Sequence, residues 1–266
     1  MTRRFHALAA RLDGLAMLAL AGFLLWLAAA GNYWMFLNPK FAPLTLGAAT
    51  VLAILGAFAA IRPVSRPSLG RAACYLCLLA MIVLTQGGVQ ALSGTIDSDP
   101  FSVAPTLPAP EPAGPVPSRL VALGREYIPI NTGELYDIAA KGHAEAFDKP
   151  YAMRGTVHRD AALDAKGEFV LYRLAVWCCY ADGTAVGFRV RLPQGATPPE
   201  DKSWVVAYGR LADAPQDERN EYTLPGQAFS SIAQAALFAT DHLESAPVPP
   251  EQVYMYQWKT SEPYAF

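Results

Sequence analysis

A chain of 266 residues has room for one membrane module and one ordinary soluble domain. Hydrophobic residues make up 53% of it and charged residues only 17%, against about 25% charged in an average soluble protein. A net charge of -2 with no dense Lys/Arg stripe excludes an electrostatic footprint for nucleic acid, and four cysteines in two pairs are too few for a disulfide scaffold.

The apolar residues crowd the first ninety or so positions. Three segments, 12–30, 41–61 and 72–92, are long and almost free of charge, with Asp13 at the edge of the first. A helix needs roughly 20 apolar residues to cross the hydrocarbon core, so residues 1–98 are expected to form a module of three transmembrane helices with lipid as their surroundings. A cleaved signal peptide is the rival reading of the first segment, but its apolar core is too long and two further spans follow. Arg3, Arg4 and Arg11 precede the first span, the first loop has only Lys40, the second loop has Arg62, Arg66 and Arg71, and the next basic residue is Arg119. This alternation predicts a cytoplasmic N-terminus and an extracytoplasmic C-terminal domain.

Tyr33, Trp34 and Phe36 in the first loop read as interfacial aromatic anchors. Gly22, Gly47, Gly56, Ala48, Ala49 and Ala53 offer close helix packing, among these spans or with a partner. No Asp, Glu, Lys or Arg lies in the interior of a span; Gln86 and Gln90 are the most polar pair, so the helices are poorly equipped to conduct an ion alone. Cys74 and Cys77 share one helix face and read as small apolar residues in preference to a redox or metal pair.

Proline recurs seven times in the stretch 99–118, which predicts an extended spacer and a domain boundary. From there to residue 266 the pattern changes to that of strands: 151–158, 169–177, 185–192, 204–211 and a last one near 242–248. In 185–192, Val186, Phe188, Val190 and Leu192 share one face, with Arg189 and Arg191 on the other. Asp182-Gly183 reads as a tight hairpin turn, and 131–141 as a short helix capped by Asn131 or Thr132. The expected fold class is therefore membrane α-helical plus a small, mainly β extracytoplasmic domain, an OB-like five-stranded barrel. The helix usual between the third and fourth strands of such a barrel has little room in 193–203.

The one chemical signal is Cys178-Cys179 followed by Asp182. Neighbouring residues of a regular strand face opposite ways, so both thiols reach one ion only if the backbone breaks there. A disulfide between neighbours requires strained geometry. Asp182 and, from the preceding strand, His158 would complete a mixed S/N/O set suited to Zn²⁺; the alternative is that the cysteines pack as small residues and Asp182 makes the turn. His143 and His242 stand isolated, and the sequence carries no Ser/His/Asp signature or phosphate loop. An enzyme is the least favoured class.

Several elements follow in order along the chain: Asn38-Pro39-Lys40, the run from Arg154 to Asp160, Cys178-Cys179-x-Ala181-Asp182, Tyr208-Gly209, Pro249-Pro250 and Tyr254-Met255-Tyr256. Together they resemble the YcgQ-type family, the small subunit of a two-component bacterial permease whose soluble part has no known function. The resemblance implies a larger multi-span permease subunit as partner, a place in the bacterial inner membrane, and an association with divalent metal, zinc among them. Here the aromatic Trp177 and Tyr180 flank the cysteines where small residues are usual, and the proline linker is unusually long. Three functions follow as expectations: an accessory transporter subunit, an envelope metal or thiol sensor, and an OB-like binding module.

Overall fold

The structure, a computed structural model, describes residues 2–29, 37–62, 117–219, 222–225, 229–246 and 254–266, with single positions at 33, 70, 73–75, 77, 80 and 227. The chain divides into two compact units, Met1–Thr106 and Leu107–Phe266.

In the first unit, helix α1 spans Thr2–Ala29 and helix α2 spans Ala42–Ile61. The segments Arg11–Ala29 and Pro39–Ile61 are long and apolar enough to cross a membrane by length and composition. Trp26, Leu44, Ile54, Phe58 and Ile61 are each more than half exposed. A helix this apolar on its outer faces calls for lipid or another protein as its surroundings, so the pair is compatible with membrane anchoring. Most of the expected third span, the linker 99–118 (but for its last two residues), Trp34, Phe36, Gln86, Gln90 and Pro249-Pro250 lie outside the described residues. Cys74 and Cys77 are exposed free thiols.

Helices α1 and α2 meet where Gly14 faces Gly56: a Cβ on Gly14 would fall 2.5 Å from the Ala60 backbone nitrogen and 2.7 Å from the Gly56 carbonyl oxygen. Small residues thus set the contact: Gly56 and Ala49, of those named from the sequence, are buried there, together with Gly14, which was not named. Gly22 and Gly47 meet nothing within 4 Å among the described residues. Tyr33 departs from the anchor reading: it is buried, and its hydroxyl shares a 2.8 Å hydrogen bond with Thr45 of α2. Asn38 accepts the Lys40 N–H and caps the 3-10 turn Pro39–Phe41 that leads into α2.

The second unit opens with the hairpin β1 (Leu120–Ala122) and β2 (Arg125–Pro129), then helix α3 (Thr132–Lys141). The strands β3 (Tyr151–His158), β4 (Glu168–Ala175), β5 (Thr184–Arg191), β6 (Trp204–Asp213) and β8 (Ala236–Ser245) close into a five-stranded barrel. Around it, β3 pairs antiparallel with β4, β4 with β5, β6 with β8 and β6 with β3, while β5 and β8 run parallel. The short β7 (Phe229–Ile232) lies parallel along β5, and β9 (Tyr254–Met255) parallel along β4.

Period-two alternation builds the interior. Met153, Phe169, Leu171, Phe188, Val190 and Phe238 are fully buried in one cluster, while Arg189 and Arg191 point to the outer face, as their spacing predicts. Leu135 of α3 is buried in that cluster, and Tyr136, Ile138 and Ala139 pack against it. The helix on the barrel core therefore precedes the first barrel strand, and 193–203 carries no helix. The last barrel strand begins six residues earlier than expected, at Ala236.

Candidate thiol and carboxylate site

The link from β4 to β5 is not a tight turn at Asp182-Gly183. Strand pairing ends at Ala175 opposite Thr184, which leaves a loop from Val176 to Gly183 with a 3-10 turn at Tyr180–Asp182. The turn expectation fails because the Asp182 side chain bonds backward along the chain. Its Oδ1 accepts the Trp177 N–H at 3.1 Å, and its Oδ2 accepts those of Cys178 at 2.8 Å and Cys179 at 3.4 Å. Three consecutive amides thus converge on one carboxylate and pull the chain out of strand geometry.

This breaks the strand alternation that would have separated the thiols. Cys178 and Cys179 stand with Sγ···Sγ at 3.6 Å, as free thiols. The two sulfurs and an Asp182 carboxylate oxygen all lie within 4.8 Å of one another. The Asp182 carboxyl is held below the ordinary range: burial pushes it up, but the Cys178 side chain and the amides of residues 177–179 outweigh that. The same contact pushes the exposed Cys178 thiol up to about 11, with Cys179 adding to it. A thiol so raised is protonated at neutral pH and a weak nucleophile, so metal ligation here would proceed with proton release.

The donor set fits a divalent, zinc-like ion. Two thiolates about 2.3 Å from a tetrahedral Zn²⁺ stand about 3.8 Å apart, close to the spacing of this pair. A carboxylate offers roughly four acceptor positions, and three are taken by backbone amides, which leaves room for one metal bond. Such a set would fill three positions of a tetrahedron and leave the fourth open.

His158 does not join this cluster, contrary to expectation. It pairs with Val170 near the start of β4, whereas the thiols follow the end of that strand. Its Nδ1 lies 3.7 Å from Asp201 instead. The neighbouring Arg159 and Asp160 build a corner: Arg159 forks onto Asp164, and Asp160 caps the turn Ala161–Asp164 and accepts from the Tyr222 hydroxyl. His143 flanks a short helix, and His242 stacks on Tyr208.

Residues that the sequence reading did not connect with the loop or with one another pack beside it. Strand β9 pairs in parallel with the end of β4, and the Val176 N–H bonds to the Met255 carbonyl at 3.2 Å. Asn131 caps α3 and donates to the Gln257 carbonyl. Glu134, fully buried, accepts the Lys259 N–H at 2.6 Å and the Ala265 N–H at 3.0 Å. Arg173 shares the interior face of β4 with Leu171; burial pushes it down to about 9, and its Nη2 donates to the Tyr254 carbonyl. The signal for these partners was a buried-strand pattern interrupted by Arg173, together with the acidic first turn of α3.

Two long apolar helices, followed by a closed barrel that carries a thiol-rich loop, define the class: a β-barrel domain joined to helices fit for membrane anchoring. Residues 134–256 match the family model of the DUF1980 C-terminal domain, a domain of unknown function. The match takes in the barrel, the two cysteines and Asp182, and ends just past β9. No curated protein matches the chain.

Proposed function

We propose that this protein is an accessory membrane subunit of a permease complex, and that its barrel domain holds a divalent ion, zinc by donor chemistry, on Cys178, Cys179 and Asp182. The observation that carries the metal reading is the convergence of two sulfurs and one carboxylate oxygen within 4.8 Å on an exposed loop. An open fourth position suits an ion that is received and passed on better than one sealed into the fold. The exposed apolar faces of α1 and α2 and the lack of charged residues away from the ends of their spans favour a partner that supplies the conducting path. Alternating basic flanks favour an inner-membrane, multi-pass placement with the barrel outside the cytoplasm. Purification from native membranes in mild detergent should bring down a larger multi-span protein; recovery of the chain alone would count against the subunit reading.

The strand order and the parallel β5–β8 pair favour an OB-like assignment of the barrel. The binding-module reading is the weaker one on a specific observation. The outer face of β4 and β5, where OB barrels take oligomeric ligands, is closed: Val170, Tyr172, Leu174, Ala185 and Arg189 are all buried.

A further inference from the structure

We propose that Trp258 is the positioning residue of the Cys178–Cys179 loop, which couples the first turns of helix α3 to the geometry of the thiols. This rests on the reading of that loop as a divalent metal site. The loop is fixed at both ends by β4 and β5 and internally by Asp182, but Trp177, next to Cys178, is 63% exposed. Its ring stacks on Trp258, with centroids 6.4 Å apart and planes at 22°.

Trp258 is itself held from three sides. Its Nε1 donates to Asp137 Oδ2 at 2.7 Å. Its ring covers Gly133 so closely that an alanine Cβ there would occupy the ring's own space. The flanking backbone is tied to the same helix, Gln257 through Asn131 and Lys259 through Glu134. Glycine at 133 is thus required by the indole, and the indole is placed where it buttresses the residue before the thiols. Groups that orient a ligand without touching the ion commonly change metal affinity about 10- to 100-fold when removed.

The test uses the full chain in detergent with thiols reduced and Co²⁺ as probe. Wild type is expected to show a thiolate-to-cobalt absorption band. Trp258→Ala should weaken Co²⁺ binding about tenfold and alter the d–d bands, and Trp258→Phe, which keeps a ring to stack, should restore most of the affinity. Gly133→Ala, which displaces only the indole, should reproduce the loss. A second readout needs no metal: in the apo protein, alkylation of Cys178 and Cys179, followed by mass spectrometry, should speed up several-fold in Trp258→Ala. If these variants do not fold, Asp137→Ala, which removes only the indole's hydrogen bond, should shift both readouts the same way. Wild-type affinity, spectrum and alkylation rates in folded variants would overturn the positioning role while leaving the metal reading intact. A wild type with no cobalt band would defeat the metal reading, and the alkylation rates would still decide the role of Trp258.

Discussion

Leu123 sits at φ +51° in the two-residue turn Leu123-Gly124 that joins β1 to β2, and its side chain is 68% exposed. Type I′ hairpin turns favour Asn-Gly because asparagine tolerates the left-handed region, whereas leucine there costs on the order of 1 kcal/mol. Leu123→Asn loses little packing, so it should raise the thermal midpoint of the protein by an amount equivalent to about 1 kcal/mol; an unchanged or lowered midpoint in a calorimetric scan would show that the leucine makes a contact of its own. A second residue-scale prediction concerns Asp182, whose carboxylate faces the Cys178 thiol and raises it. Asp182→Asn removes that charge, so the pH midpoint for alkylation of Cys178 should move downward and its rate at pH near 8 should rise. A midpoint that stays put would remove Asp182 as the cause. The thiol pair and its carboxylate were legible in the sequence as residue types at suggestive spacing. Their geometry was not, because a period-two pattern says nothing about a carboxylate that captures three amides behind it.

At the scale of elements, α3 and the segment from Tyr254 to Phe266 form one cooperative piece. Burial holds the Glu134 carboxyl above the ordinary carboxylate range, despite the Lys259, Ala265 and Asn131 contacts that pull it down. The folded state therefore favours the protonated form, and stability is lost as pH rises from the ordinary carboxylate value through the raised one. Glu134→Gln keeps an acceptor oxygen for the tail and carries no charge. Its thermal midpoint should gain on wild type as pH rises from about 4 to about 7, and parallel curves would contradict the assignment. The strand at 151–158 and the helix capped by Asn131 were legible end to end, since alternation and a side-chain cap are local signals. The docking of the tail was not legible, because it depends on side chains more than a hundred residues apart.

At the scale of the whole molecule, two units carry two kinds of packing. In the helical unit, Gly14 and Gly56 permit the contact between α1 and α2, whereas Gly22 and Gly47 have nothing within 4 Å among the described residues. Gly14→Leu should lower the melting temperature of the chain in detergent, while Gly22→Leu and Gly47→Leu should leave it within error; equal effects at all three would refute this packing. In the barrel unit, the ion pairs of Glu168 with Arg191 and of Glu218 with Lys166 lie toward the start of β4, away from the thiol loop, and serve the fold. The thiol loop is where the proposed function places the chemistry of the barrel. The most direct measurement of that claim is the zinc content of the full-length protein, purified in detergent with thiols reduced, beside the Cys178→Ser, Cys179→Ser double variant. Wild type should retain about one zinc per chain with tetrahedral thiolate ligation and the double variant essentially none. Equal metal content in the two, or none in either after incubation with zinc, would contradict the account.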